Sequence, residues 1–311
     1  MLGLVPHAVR PLATRAGLKM AGSASGLLFS AGVIGGANLA GYAITAGTRT
    51  HKVTDLTGAG AFVLSAAACA WKSGSFASGA TRPLLLNVAV SVWGVRLASY
   101  LFARIIKTGK HMRTHLPLLL LDQRLASFFP SKGEEWLDSK RSFFPVSLAG
   151  FWTIQAMWAW VVSLPVTLAN FSPARAVPIG AGGWACAGLF AAGLAVETVA
   201  DYQKFKFKND PENKGKFVDS GLWSVSRHPN YLGEIGVWWA ILGMALPALR
   251  GPGQLALGIA SPVFITSLIM YVSGIPMLEQ QHDKKYGHDS RYQEYKKNTP
   301  MLVPDVSKIF F

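Results

Sequence analysis

The chain has 311 residues, half of them apolar and only 15% charged, with a mean hydropathy of +0.29. One water-facing domain of this size cannot bury that much apolar surface, so the composition excludes an ordinary soluble globule and points to lipid as the solvent. A formal charge of +14 would suggest nucleic acid in a soluble protein; here its placement along the chain assigns it to one face of a membrane, and no nucleic-acid partner is expected.

Residues 1–25 contain no acid and include Arg10, Arg15 and Lys19, which fits either a targeting segment of organelle type or the positive flank of a first span. No repeat, low-complexity tract or Pro-rich linker divides the remainder, so residues 26–311 read as a single helical membrane domain. Crossing the ~30 Å hydrocarbon core takes about 20 apolar residues per helix. Seven windows qualify: 27–46, 56–71, 83–102, 145–170, 177–199, 235–249 and 255–277. The second is the shortest and is rich in Ala and Gly. Glu197 is the only charge inside the windows 145–170, 177–199 and 255–277, and Arg96 lies inside the third window. The predicted fold is all-α, a polytopic membrane protein of about seven transmembrane helices.

With seven spans, 22 of the 30 Lys and Arg residues fall on one face and seven on the other, Arg96 being intramembrane. That asymmetry places the N-terminus outside and the C-terminus in the cytoplasm. The loop 105–144, with its apolar run from Leu118 to Leu121 and its end at Lys132-Gly-Glu-Glu-Trp136, is expected to lie partly helical at the interface. Cys69 and Cys186 sit in apolar windows as small buried hydrophobes, leaving neither a disulfide framework nor a metal site. Asn170-Phe-Ser172 matches a glycosylation sequon but stands at a helix end in a short loop, where it is expected to be unused. Gly180-Ala-Gly-Gly-Trp-Ala185 imitates a nucleotide-binding loop without the preceding strand, and close packing of a spanning helix explains it better.

The most informative stretch is Gly221-Leu-Trp-Ser-Val-Ser-Arg-His-Pro-Asn-Tyr-Leu-Gly-Glu234. It gathers Arg227, His228, Asn230, Tyr231 and Glu234 at the mouth of a spanning helix, where each polar group is costly unless something pairs with it. Pro229 suits the first turn, so the helix is predicted to start there, its positive end beside Arg227 and His228 favouring a phosphate or carboxylate. Lipid headgroups are the competing use for Arg227 and His228, with Tyr231 as an interface anchor. Upstream, Glu197, Asp201, Lys204 and Lys208 recur at helical spacing, as a self-paired ladder or as ligand contacts; the deeper Glu197 and Asp201 favour the latter. Arg96, about two turns from Arg104, calls for a buried anionic partner.

Ala200-Asp-Tyr-Gln-Lys204, Gly221-Leu-Trp223, Ser226-Arg-His-Pro-Asn-Tyr-Leu-Gly-Glu234, Leu278-Glu279 and Tyr295-Lys296 before Pro304 together resemble the steroid 5-alpha-reductase-like family, over about residues 50 to 305. The resemblance implies a seven-helix reductase that takes NADPH from the cytosolic side and reduces a carbon–carbon double bond in a lipid, usually a steroid or sterol enone. It implies a cofactor-binding part at about 197–305, with Asp201, Arg227, Asn230 and Glu234 in the cofactor pocket and Arg96 on the phosphates. Glu197, Lys204, Lys208, His228 and Tyr231 would stand beside them, and His282 and Tyr286 would hold the remaining polar groups. In steroid reductases a Glu and a Tyr polarise the substrate. Here Trp93 stands about where that Tyr is expected, Tyr100 is one turn beyond Arg96, and no acid precedes Asp55, so no catalytic residue is assigned.

Two other readings stay open. Membrane methyltransferases of isoprenylcysteine or phospholipid carry a similar Arg-His-Pro-x-Tyr-x-Gly stretch and bind S-adenosylmethionine there; Glu234 after Gly233 and the Ala200-Asp-Tyr-Gln-Lys204 stretch favour the reductase. The third reading is a non-catalytic lipid-binding protein. The endoplasmic reticulum is the expected membrane, with plastid or mitochondrial membranes as alternatives, and the oligomeric state is not legible.

Overall fold

A computed structural model describes residues 12–48, 53–107 and 145–304, with side chains at 23–48, 53–101 and 148–304. The expected interface loop 105–144 lies almost wholly outside the described residues, as do Arg49, Lys52, Lys308 and residues 1–11 of the N-terminal segment. Every regular element among the described residues is helical: α1 Leu12–Thr48, α2 Thr54–Lys72, α3 Ser75–Ser78, α4 Thr81–Lys107, α5 Pro145–Phe171, α6 Ala181–Asn209, α7 Leu222–Val225, α8 Pro229–Ala245, α9 Gly251–Ser267, α10 Ile275–Tyr286 and α11 Ser290–Asn298. The chain is a multi-pass membrane protein of all-α fold. Large apolar side chains such as Leu28, Leu39, Val88, Val95, Leu189 and Leu257 point outward, as lipid requires.

Six of the helices are long and apolar enough to cross a membrane, and α2 is the exception among the seven windows. Most of its small residues turn inward: Gly58, Ala59, Ala61, Ser65, Ala66 and Ala70 are buried against α1, α4 and α5, while Ala67 is exposed. Small residues let helix backbones approach closely, so α2 trades hydropathy for packing. The last window, 255–277, falls within a candidate span over Gly251–Tyr286 that is interrupted along its length. After α9 a π turn, Leu268–Val272, ends the spanning helix, and Gly274 carries the chain past the Ile269 backbone into α10.

α8 is the hub, packed by α4, α5, α6 and α9. Its closest neighbour is α6. A Cβ on Gly233 would come 2.5 Å from the Gly193 carbonyl oxygen and 2.7 Å from the Glu197 amide nitrogen, so only glycine permits this crossing. The close packing expected at Gly180 to Ala185 therefore occurs further along α6. Gly182 meets nothing within 4 Å, and Gly183 faces Ile179 and Arg82.

At the end away from the motif, Arg82 is 2% exposed and donates to the carbonyls of Val177 at 3.3 Å, Pro178 at 2.7 Å and Met244 at 2.6 Å. Nearby, the amides of Asn87 and Asn170 exchange hydrogen bonds, both at 3.1 Å, and the Ser75 hydroxyl donates to Asn170 Oδ1 at 3.2 Å. Asn170 is fully buried, so its sequon faces the bundle interior.

Candidate functional site

Three helices build the first part of the site. Arg96 lies on the inward face of α4, and α6 offers Glu197 and Asp201 one turn apart. The Arg96 guanidinium donates Nη1–H to Glu197 Oε1 and Nη2–H to Asp201 Oδ2, both at 2.6 Å. The Gly193–Gly233 crossing brings the start of α8 against the same spot, where Asn230 Nδ2 donates to Asp201 Oδ1 at 3.2 Å. Glu234, one turn on, is also buried and interacts electrostatically with Arg96 and Glu197. Three carboxylates thus share one guanidinium. Glu197 keeps one oxygen, Oε2, buried without a hydrogen-bond partner.

The second part is the loop that leads into α8. Gly221 adopts a left-handed φ of 63°, which glycine alone takes without strain, and Gln203 accepts the Leu222 amide at 2.9 Å. Trp223 donates its indole N–H to the Ala200 carbonyl at 3.0 Å, tying the loop to α6, and the Lys204 ammonium lies 4.9 Å over its ring. Ser226 donates its hydroxyl to the Leu302 carbonyl at 2.7 Å, and Arg227 its amide to Pro300 at 2.9 Å, which anchors the C-terminal segment. As predicted, α8 opens at Pro229; His228 before it lies outside both the helical and the extended regions, with φ −139° and ψ 57°.

Arg227 Nη1 donates to Glu279 Oε2 at 2.7 Å, while His228 Nε2 lies 2.8 Å from Glu279 Oε1. Burial holds the His228 imidazole below its ordinary pKa against the opposing pull of Glu279, and Lys204 and Arg227 add to the depression. Tyr231 stacks on the His228 ring at 5.8 Å. His282, on α10, interacts electrostatically with Lys204, Lys208 and His228. The Arg227 Nε–H is buried without an acceptor.

The structure therefore brings Arg96, Glu197, Asp201, Asn230 and Glu234 into one polar cluster and sets Lys204, Lys208, Arg227, His228, Tyr231 and His282 around its mouth. Arg96 has the buried anionic partners its position demanded, and the acids of α6 pair with it across helices, while Lys204 also acts electrostatically on Asp201 along the stripe. Lys206 and Lys208 are both exposed, and Lys208 acts electrostatically on His282. Tyr286 packs edge-on against the His282 ring at 5.8 Å, while its hydroxyl donates to the Lys216 carbonyl at 3.1 Å and its ring also meets Phe217.

Glu279 escaped the sequence reasoning as a site residue, although it holds both Arg227 and His228. A signal for it existed. Glu279, His282, Asp283 and Tyr286 follow one another at helical spacing just after the last span, a polar stripe where the chain leaves lipid. Lys296 of α11 completes the contact, reaching Asp283 Oδ1 at 2.6 Å and Glu279 Oε2 at 3.4 Å.

A stretch of 57 residues is 42% identical to the probable O-methyltransferase ustE of Ustilaginoidea virens, covering 18% of this chain and 20% of that protein. The match thus spans about a fifth of that relative's length. No solved structure matches the chain. The profile of the family described as "Protein of unknown function (DUF1295)" matches residues 41–299, and over that extent the chain belongs to this family.

Proposed function

We propose that this member of the DUF1295 family is a membrane-bound reductase that binds NADPH at the Lys- and Arg-rich end of its bundle and reduces a carbon–carbon double bond in a lipid, with a steroid or sterol enone as the expected class. The observation that carries it is a pair of buried, unpartnered atoms of opposite character, one in each part of the site. Glu197 Oε2 is an acceptor without a donor, and Arg227 Nε is a donor without an acceptor. A dinucleotide meets both needs, because its ribose hydroxyls and carboxamide donate while its phosphates accept.

In this reading Glu197 and Glu234 grip the ribose and amide of the nicotinamide half. Arg227, Lys204 and Lys208, with His228 and His282, face the phosphates. Arg96 holds Glu197 and Asp201 in position rather than reaching the phosphates itself, since both of its terminal nitrogens are engaged. When bound, NADPH supplies a hydride for the β carbon of the enone, and a proton joins the α carbon. The endoplasmic reticulum remains the expected membrane.

The likeness to the probable O-methyltransferase supports a second reading, a membrane methyltransferase using S-adenosylmethionine. Arg227 would then hold the cofactor's carboxylate, and the three carboxylates around Arg96 would favour its sulfonium. Three cations at the mouth, Lys204, Lys208 and Arg227, suit a polyphosphate better than a single carboxylate. The two are separated by titrating NADPH, NADH and S-adenosylmethionine one at a time into the detergent-purified chain and its Glu234→Gln variant. NADPH should bind more tightly than NADH, and the variant should lose about tenfold in NADPH affinity, the effect of about 1–3 kcal/mol for a lost buried hydrogen bond. Binding of S-adenosylmethionine without NADPH would replace the reductase with the methyltransferase, and binding of neither would leave the non-catalytic lipid-binding reading.

A further inference from the structure

Glu279 lies in the second turn of α10, and its carboxylate meets side chains from two other stretches of the chain. Oε2 accepts Nη1–H of Arg227 at 2.7 Å and stands 3.4 Å from the Lys296 ammonium, while Oε1 lies 2.8 Å from Nε2 of His228. Asp283, one turn along α10, is held by Lys296 at 2.6 Å and by the Tyr292 hydroxyl at 3.0 Å. The helix that carries Glu279 is therefore braced by α11 beside the point where Glu279 leaves it.

Each contact fixes something that its partner leaves open. A guanidinium is a planar fork of N–H donors that turns with its side chain. Glu279 takes Nη1 of this fork, and the Arg227 amide is tied to the Pro300 carbonyl at 2.9 Å. Between those two anchors the Nε–H is left buried without an acceptor. The imidazole is the second case, because a neutral ring carries its proton on either nitrogen. Glu279 receives a guanidinium and an ammonium, so it is ionised, and an ionised carboxylate only accepts. The His228 contact therefore places the proton on Nε2. Burial keeps the ring neutral, which leaves Nδ1 without a proton, and Nδ1 makes no hydrogen bond among the described residues.

We infer that Glu279 is a positioning residue of the site: it aims the Nε edge of Arg227 at an anionic group of the ligand and holds His228 as the Nε2–H tautomer, so that Nδ1 accepts from a hydroxyl beside that anion. A ribose next to a phosphate carries both groups. His228 then serves this part of the ligand through a hydrogen bond and not through charge. Naming the ligand NADPH rests on the function proposed above; the tautomer and the aim of Arg227 do not.

The tautomer is read by nitrogen NMR on the detergent-purified full chain carrying 15N-histidine, with the His228 signals assigned by their loss in His228→Gln. Nε2 should resonate as a protonated nitrogen and Nδ1 as an unprotonated one. The aim of Arg227 is read by titrating NADPH and inorganic pyrophosphate separately into wild type, Glu279→Gln, Arg227→Ala and the double variant. Glu279→Gln should weaken both probes about tenfold in the wild-type background, the effect of one lost charge-assisted hydrogen bond, and should not weaken them where Arg227 is already gone. A purely structural role would give equal losses in the two backgrounds, and a purely competing anion would give tighter binding in Glu279→Gln. Either result, a wild-type His228 with its proton on Nδ1 or on both nitrogens, or a wild type that binds neither probe, overturns the inference. The wild-type spectrum decides by itself if the variants do not fold. Coupling seen with pyrophosphate but no NADPH binding would refute the reductase reading and spare this one; NADPH binding without coupling would do the reverse.

Discussion

The two ends of the bundle each bury an arginine in a polar cluster, and they differ in whether the cluster is complete. Arg82 has all its donating nitrogens on backbone carbonyls, and Asn87 and Asn170 satisfy each other's amides. Around Arg96 and Arg227 the accounts do not close: Glu197 Oε2 lacks a donor and Arg227 Nε an acceptor. Burying polar groups in a membrane protein is tolerated wherever they are fully paired, so burial alone does not mark a site. What sets this end apart is that its unpartnered buried atoms, Glu197 Oε2 and Arg227 Nε, belong to charged side chains.

The sharpest way to break the comparison is to remove the cation from the unfinished end. Arg96→Met leaves Glu197, Asp201 and Glu234 without their shared counter-ion, and stability should fall by about 3–5 kcal/mol, read as the loss of thermal or denaturant midpoint in detergent. A variant as stable as wild type would mean that the acids are already neutral in the fold. Arg227→Ala comes next, because it touches ligand more than fold. Its NADPH affinity should drop by about 2–5 kcal/mol and the preference over NADH should narrow, measured by calorimetric titration. Equal affinity for the two cofactors, unchanged in the variant, would remove Arg227 from the phosphates.

The smallest effect belongs to the finished end. Asn170→Ala orphans the Asn87 amide and should cost about 1–3 kcal/mol of stability while NADPH affinity stays at the wild-type value. A change in cofactor binding there would show that the two ends are coupled through the bundle.

Much of the site was legible because charge is costly in lipid. Glu197, Asp201, Arg227, Asn230 and Glu234 stood out as polar groups where few are tolerated, and Pro229 marked the start of α8. What distance in sequence concealed was pairing. Arg96 is 101 residues from Glu197, and Arg227 is 52 from Glu279. Helical spacing puts groups on a face but does not say which face of which helix they will meet. α2 was read least well for a related reason, since a helix shielded by its neighbours no longer needs the hydropathy that identifies a span.

By itself, then, the sequence determined the solvent, the helices and the residue types at one end of the bundle, since composition and period follow from local chemistry. The tertiary structure alone decided that Gly193 and Gly233 would touch and that Glu279 would hold the Arg227-His228 pair. Those are contacts between distant segments, and they depend on how the helices cross, which no local pattern encodes.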